Sequence, residues 1–104
     1  MNFENKITSR EISQLLWERE ETLSTAESCT GGRIAEAVIA VPGASKYFKG
    51  GIISYVDEIK EQLLDVDHAV IEANTAVCEE VAIKMVQGAC HKLNTTYAIA
   101  ATGF

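Results

Sequence analysis

Apolar residues recur along the chain at two different spacings, and these spacings predict the helices and the strands. Four segments have apolar residues three or four positions apart, which is the spacing of one helix face. They cover residues 8–20, 30–41, a stretch that begins at Asp57, and about 77–94. The second segment is rich in small residues, which indicates a buried helix. It stops at Pro42, because proline cannot continue a helix.

Three shorter segments have the composition of strands. Residues 23–28 alternate weakly between apolar and polar, residues 49–56 are β-branched and aromatic, and residues 97–101 are apolar. The polar stretch 65–74 is expected to be a loop. Strands that alternate with helices favour an α/β fold. The order therefore predicts a single domain over 1–104, of three-layer α/β/α type, with a largely parallel sheet.

Capping residues mark the starts of two of these helices. Thr8 to Glu11 (TSRE) matches a capping box, and Ile7 and Ile12 stand where a hydrophobic staple would pack. Asp57 is a natural N-cap for the third helix. The first helix is therefore expected to begin near Thr8.

Length and charge narrow the class of protein. The chain has 104 residues, 47% of them apolar, and one proline, which indicates a small globular domain. Its formal net charge is -6. An acidic balance argues against DNA or RNA as a partner, because phosphates are neutralised by lysine and arginine. A small anionic ligand in a local site remains compatible with this charge.

The cysteines and the N-terminal residues bear on location. Three cysteines, Cys29, Cys78 and Cys90, occur without a disulfide framework or the spacing of a zinc site, which indicates reduced thiols and no bound metal. The N-terminal residues lack the apolar region of a signal peptide, and no apolar run is long enough to span a bilayer. We therefore expect a cytoplasmic protein with no membrane partner.

The most polar stretch between two apolar elements is TAESCTGG, Thr25 to Gly32. Its second half falls at the predicted turn from strand to helix, where backbone N–H groups are unpaired and the helix dipole is positive. Three interpretations stay open from these residues alone. Ser28 can be a nucleophile beside an oxyanion hole, the turn can hold a phosphate, or Ser28 or Thr30 can simply cap the helix. Cys29, between two hydroxyls, is expected to point inward as a small apolar residue.

Lys60 is the second candidate. With Asp57 as the N-cap, it falls at the third position of its helix, where the dipole disfavours a cation and favours the neutral amine that a general base requires. Nearby acidic residues, Asp57, Glu58 and Glu61, favour the cation instead, so these residues alone leave the balance open. The alternative is an ordinary solvated surface lysine.

Together the two segments resemble a known family. TAESCTGG, followed by VPGASKYFKGGIISYVDEIK, resembles the C-terminal domain of the CinA (competence/damage-inducible) family over about Leu23 to Gly103. The resemblance implies a nicotinamide-nucleotide amidase that hydrolyses nicotinamide mononucleotide to nicotinate mononucleotide and ammonia, without a cofactor or a metal. It places the nucleophile on Ser28, the lysine base on Lys60 and an assisting tyrosine on Tyr55.

In the mechanism that this resemblance implies, neutral Lys60 takes the proton of Ser28, with the Tyr55 hydroxyl able to stand between them. Ser28 then attacks the carboxamide, and backbone N–H groups of the turn stabilise the oxyanion. The only partner implied is the nucleotide substrate. The residues that we expect to contact it are Glu27, Thr30, Gly31, Gly32, the turn at Gly50 and Gly51, Thr102 and Gly103.

Three departures from the family pattern qualify this expectation. Asp57 replaces an asparagine and adds a charge near Lys60, and Cys78 replaces a serine at a helix cap. After Gly103 the family has a glycine-rich segment and further elements of the sheet that are absent here. We therefore expect a truncated domain with an open sheet edge that self-associates as a homo-oligomer. The alternatives to an active amidase are an inactive module of this fold and a phosphate-ligand-binding domain.

Overall fold

The computed structural model describes residues 3–103, which form three strands and five α-helices. The elements, in chain order, are α1 (Phe3–Arg19), β1 (Leu23–Glu27), α2 (Arg33–Ile39), β2 (Phe48–Ile53), α3 (Asp57–Leu64), α4 (His68–Asn74), α5 (Glu79–Leu93) and β3 (Tyr97–Ala101). A short 3₁₀ turn, Ala44–Lys46, precedes β2.

The strands form one parallel sheet in the order β2-β1-β3, which confirms the predicted α/β fold and its parallel sheet. Glu27, the last residue of the central strand, lies between Ile53 of β2 and Ala101 of β3. All three strands therefore end at one edge of the sheet. In parallel sheets the residues just beyond this carboxyl edge build the sites.

Helices cover both faces of the sheet. Alternate residues of a strand point to opposite faces. On one face, Ala26 packs with Leu64 of α3, Ile71 of α4 and Met85 of α5. On the other face, Leu23 packs with Leu16 of α1. This arrangement agrees with the predicted three layers.

Several predicted boundaries are wrong. The helix α1 begins at Phe3, so the expected capping box lies inside it, and Ile7 of the staple falls outside the described side chains. The residues before Thr8 include no proline or glycine, so nothing there ends the helix. Asp57 is the first residue of α3, and the N-cap is Val56. The cap of α5 is Cys78, which makes no side-chain capping hydrogen bond.

Two segments differ in kind from the expectation. The predicted loop 65–74 contains α4, which Asp67 caps by accepting a hydrogen bond from the Ala69 N–H at 3.0 Å. The helix forms because Ile71 can be buried in the core, a tertiary contact that the polar composition hid. By contrast, α2 is not the buried helix expected from its small residues, since none of its residues is fully buried.

Close packing between α3 and α5 places Lys60. Gly88 of α5 lies against the backbone of Leu64, and a Cβ atom at this position would collide with the Leu64 carbonyl oxygen. The absence of a side chain at Gly88 therefore lets α3 approach α5 and fixes the position of the last turn of α3.

No helix within residues 3–103 combines the length and the apolar character that crossing a bilayer requires.

Self-association remains a prediction, and we expect the outer edge of β3 to form the interface between copies. Within the described residues β3 pairs only with β1, and a groove of about 220 Å³ lies between α1 and β3. Its apolar lining is formed by Ile12, Leu15, Leu16, Leu23, Tyr97 and Ile99. An open strand edge beside exposed apolar residues favours association.

The variant Ile99→Lys is expected to shift the protein from an oligomer to a monomer in light scattering at micromolar concentration, because a lysine on an edge strand blocks pairing. Ile83→Lys, the same change at an exposed isoleucine of α5, is the control and is expected to leave the oligomer intact. A wild-type chain that is monomeric, or an equal effect of both variants, would contradict this placement.

Candidate active site

Hydroxyl residues follow the ends of all three strands. Ser28 follows β1, Ser54 follows β2 and Thr102 follows β3. The Ser54 N–H donates to the Glu27 carbonyl oxygen at 2.7 Å, which joins the ends of β1 and β2 just past the last strand residues. The carboxyl edge therefore brings together two of the segments that the sequence singled out.

A serine–lysine pair lies at this edge. The Lys60 Nζ lies 3.1 Å from the Ser28 Oγ. Ser28 is 4% exposed and Lys60 is 1% exposed, so the pair is shielded from water. The alternative that Lys60 is a solvated surface lysine is wrong.

Main-chain carbonyls hold the lysine in place. Nζ donates to the Ser54 carbonyl oxygen at 2.9 Å and lies 3.4 Å from the Tyr55 carbonyl oxygen. Lys60 is the fourth residue of α3, and helical side chains lean toward the N-terminus of their helix, so its stem reaches back to the strand end. These acceptors fix Nζ beside the Ser28 hydroxyl.

One carboxylate, that of the partly exposed Asp57, lies near the Lys60 Nζ. Asp57 Oδ1 is 3.8 Å from Nζ, and 53% of the Asp57 side chain is exposed. A buried ammonium is costly unless it is well paired. A neutral amine in the same place keeps two N–H donors and presents a lone pair, which can accept the Ser28 proton.

Glu27 is buried beside the nucleophile and is 1% exposed. Its Oε1 accepts the N–H groups of Gly32 at 3.1 Å and Ile34 at 2.9 Å, and its Oε2 accepts that of Ala35 at 3.0 Å. The side chain that we expected to bind substrate therefore closes the turn onto the start of α2. Its oxygens are occupied because they satisfy N–H groups that would otherwise be orphaned.

These contacts decide the charge of Glu27. Burial raises the pKa of its carboxyl group, but the N–H groups of Ile34, Ala35 and Gly32, with the nearby Thr30 hydroxyl, outweigh burial and lower the pKa below its ordinary value. Among residues 3–103 the Thr30 hydroxyl makes no direct hydrogen bond, so it acts on Glu27 as a nearby dipole. Glu27 is thus a carboxylate at neutral pH.

A lowered pKa in the folded state links Glu27 to acid stability. The stabilisation is complete above the ordinary glutamate pKa of about 4.3 and is lost as the pH falls through the lower folded value. Glu27→Gln is expected to lower the free energy of unfolding by about 2 kcal/mol at pH 7, and this deficit should shrink below pH about 4. Urea denaturation at several pH values measures it. Glu11→Gln, at an exposed position of α1, is the control, and a deficit that is independent of pH would contradict the assignment.

The turn uses most of its own N–H groups. The Gly31 N–H donates to the Ser28 carbonyl oxygen at 3.1 Å, and the Gly32 N–H is taken by Glu27. Both glycines have positive φ angles, +59° and +108°, which residues with a side chain rarely adopt. The two glycines therefore set the shape of the turn. The Gly32 N–H, which we expected to bind the substrate phosphate, already donates to the Glu27 carboxylate.

Two backbone N–H groups of the turn are open. In the part of the chain that the structure describes, the amides of Cys29 and Thr30 have no hydrogen-bond acceptor. Cys29 is half-buried, and its Sγ lies beside Gly103, where an added Cβ atom would come within 3.1 Å of it. Gly103 therefore packs against the turn, and the expected inward position of Cys29 is only partly realised.

Tyr55 contributes its backbone rather than its hydroxyl. The residue is 71% exposed, and its hydroxyl has no hydrogen bond within residues 3–103. Its carbonyl oxygen lies 3.5 Å from the Ser28 Oγ. The expected placement of the tyrosine hydroxyl between Ser28 and Lys60 is therefore not found in this structure.

Gly50 and Gly51 lie inside β2 and do not form the expected turn. The pairing with β1 shifts by one residue just before Gly50, which marks a β-bulge. A Cβ atom at Gly51 would collide with the Thr25 hydroxyl of the neighbouring strand. Gly51 therefore allows close strand packing, whereas Gly50 has a φ angle of +151° at the bulge, and both residues lie before the carboxyl edge.

Thr102 is also engaged within the fold. Its hydroxyl donates to the Ala76 carbonyl oxygen at 2.7 Å, which ties the end of β3 to the segment before α5. Within the described range, no three His, Cys, Asp or Glu side chains lie close enough together to hold a metal ion.

Sequence reasoning missed Ser54. This residue is fully buried, its carbonyl accepts Lys60, and its hydroxyl donates to the Glu27 carbonyl oxygen at 3.2 Å. The only local signal is a serine directly after an apolar strand, and this is too common to identify a site.

A parallel α/β sheet thus carries a buried serine–lysine pair at its carboxyl edge, where an amine lies within reach of a serine hydroxyl. The chain belongs to the CinA family: the family described as the CinA C-terminal domain matches residues 5–104. This confirms the resemblance inferred from TAESCTGG.

Relatives and solved structures agree with this membership. The chain is 46% identical over 92 residues to a CinA-like protein of Parasynechococcus marenigrum (strain WH8102) and 42% identical to one of Dictyoglomus thermophilum, covering 88% of this chain. It spans 22% of the length of each. A CinA superfamily protein from Escherichia coli has a TM-score of 0.94 at 32% identity, and the competence/damage inducible protein CihA from Agrobacterium tumefaciens has 0.97 at 30%. Both structures cover all of this chain, which spans 62% and 63% of theirs.

Proposed function

We propose that this domain is a serine/lysine amidohydrolase that hydrolyses the carboxamide of nicotinamide mononucleotide. The observation that carries the proposal is the buried contact of 3.1 Å between the Lys60 Nζ and the Ser28 Oγ. A serine is a weak nucleophile until a base takes its proton, and a buried amine next to it can be that base. The choice of nicotinamide mononucleotide rests on the resemblance of the motifs TAESCTGG and YVDEIK to the CinA amidases.

The proposed reaction uses groups already in place. Neutral Lys60 accepts the Ser28 proton as Oγ bonds to the carboxamide carbon, and the carbonyl electrons move onto its oxygen. The open N–H groups of Cys29 and Thr30 stabilise that oxyanion. When the oxyanion collapses, the C–N bond breaks and Lys60 returns the proton to the leaving nitrogen, which departs as ammonia. Water, deprotonated by Lys60, then cleaves the ester and restores Ser28.

The test is ammonia release from nicotinamide mononucleotide by the purified chain, together with covalent labelling of Ser28 by a fluorophosphonate. Ser13→Ala, at a half-buried position of α1, and Lys84→Met, at an exposed position of α5, are the matched controls for changes at Ser28 and Lys60. Release that depends on Ser28 and Lys60 supports the proposal. Labelling of Ser28 without ammonia release points to another amide substrate, and a chain that does neither is an inactive module of this fold.

The phosphate-ligand-binding interpretation has less support. A phosphate at the start of α2 requires free N–H groups, and three of these, from Gly32, Ile34 and Ala35, are bonded to Glu27. A second anion in the same place would face the Glu27 carboxylate. The amidase is therefore the function that we favour.

A further inference from the structure

Glu27 is a buried charge that the proposed reaction does not use. It immediately precedes Ser28, and it contacts both of the segments that carry the proposed nucleophile and base. A buried carboxylate must be compensated by hydrogen bonds, and here the compensation comes from groups around the site. The question is whether these bonds only stabilise the fold or also place the reacting atoms.

The side-chain carboxylate acts on the segment that carries Ser28. Its three hydrogen bonds to Gly32, Ile34 and Ala35 draw the first turn of α2 back onto the end of β1. The Gly31 N–H, within the same turn, donates to the carbonyl oxygen of Ser28. These hydrogen bonds hold the segment from Ser28 to the start of α2 in one conformation. That conformation orients the Ser28 side chain.

The main-chain carbonyl of Glu27 acts on the segment that holds Lys60. It accepts both the N–H group of Ser54 at 2.7 Å and the Ser54 hydroxyl at 3.2 Å. The carbonyl of Ser54 in turn accepts the Lys60 Nζ at 2.9 Å. One residue is thus connected to Ser28 through its carboxylate and to Lys60 through its carbonyl.

We propose that Glu27 is the positioning residue of the Ser28–Lys60 pair, and this inference rests on the proposed amidase chemistry. Reaction between oriented groups depends steeply on geometry, and a displacement of about 1 Å can lower the rate about 100-fold. Loss of one hydrogen bond from the carboxylate lets the turn relax, so that the Ser28 Oγ moves relative to Nζ while substrate contacts elsewhere remain.

The experiment measures the labelling rate of Ser28 by a fluorophosphonate, together with kcat and KM for ammonia release, in Glu27→Gln. Glutamine has the same shape, but its amide NH₂ cannot accept the Ala35 N–H. We expect the labelling rate and kcat to fall by about 10- to 100-fold while KM changes less than about threefold. Glu27→Asp, which keeps the charge but is one methylene shorter, is the second variant and is expected to fall similarly.

A destabilised core variant separates positioning from stability. Val81→Ala, at a fully buried position of α5, is expected to lower stability while leaving the labelling rate of the folded protein within about twofold of wild type. All rates are measured at a temperature where circular dichroism shows each variant folded. Glu27 variants that are labelled as fast as Val81→Ala overturn the positioning role. A wild type that is labelled at Ser28 but releases no ammonia overturns only the proposed substrate, and one that is not labelled overturns both proposals.

Discussion

Replacing Ser28 by alanine is expected to lower ammonia release from nicotinamide mononucleotide by at least about 10⁴-fold, because the variant has no atom that can form the acyl-enzyme. Stability should change little, since among residues 3–103 the partners of the Ser28 Oγ are Lys60 at 3.1 Å and the Tyr55 carbonyl at 3.5 Å. Steady-state ammonia release and urea denaturation of the same preparations give the two numbers.

Ser13→Ala is the control for this change, because it removes a serine hydroxyl of α1 that bonds only the Arg10 carbonyl of its own helix within the described residues. It should keep full activity. If Ser28→Ala retained more than about one-tenth of the wild-type rate, the serine would be a capping residue and the nucleophile would lie elsewhere.

Replacing Lys60 by methionine is expected to lower the rate by about 10³-fold, because general-base catalysis contributes roughly 10²- to 10⁴-fold and no other amine lies beside Ser28 in the described structure. Methionine has a similar length and no charge, so the packing of α3 is preserved. The measurement is the same ammonia assay, with Lys84→Met as the matched control on α5.

Lys60→Met should change stability far less than it changes activity. The residue is 1% exposed and its nearest carboxylate, Asp57, is 3.8 Å away, so a charged lysine here is poorly compensated. A methionine removes the cost of burying the amine, but it leaves the Ser54 and Tyr55 carbonyl oxygens without this donor, which costs about 1–3 kcal/mol for each unsatisfied group. We expect the two effects largely to offset each other, so that the free energy of unfolding changes by less than about 2 kcal/mol.

The rate of ammonia release and the free energy of unfolding together distinguish the two roles that a buried lysine can have. A residue retained for reactivity costs stability, whereas a residue retained for structure supplies it. Loss of more than about 3 kcal/mol of stability in Lys60→Met, with activity reduced only in proportion to unfolding, would show that the lysine holds the strand ends together and is not the base.

The fold was largely predictable because its signals are local. Apolar spacing located α5 and β3 to within about two residues, and alternation of helices with strands indicated the parallel sheet. The failures have tertiary causes. The helix α4 forms in a polar stretch because Ile71 reaches the core, and Gly51 is a strand residue because its missing side chain suits the packing against Thr25 of β1.

The candidate site was predictable only in part. Ser28 and Lys60 were identified by the resemblance of their motifs, whereas Tyr55 and Glu27 were given roles that their observed directions do not support. A side chain's direction depends on what fills the space around it. Glu27 ends a weakly alternating strand and precedes a serine, and nothing in that order tells whether its carboxylate turns toward a ligand or toward the start of α2.

By itself the sequence determined the order of the three strands and of four of the five described helices, the parallel sheet and the place of TAESCTGG at a strand-to-helix turn, because each depends on neighbours within a few positions. Only the tertiary structure decided that the Lys60 Nζ meets the Ser28 Oγ across 32 positions of the chain. It also decided that Ser54 and Glu27 support this contact. Those contacts arise where parallel strands end side by side, and the alignment of strand ends is set by sheet register and helix packing rather than by local sequence.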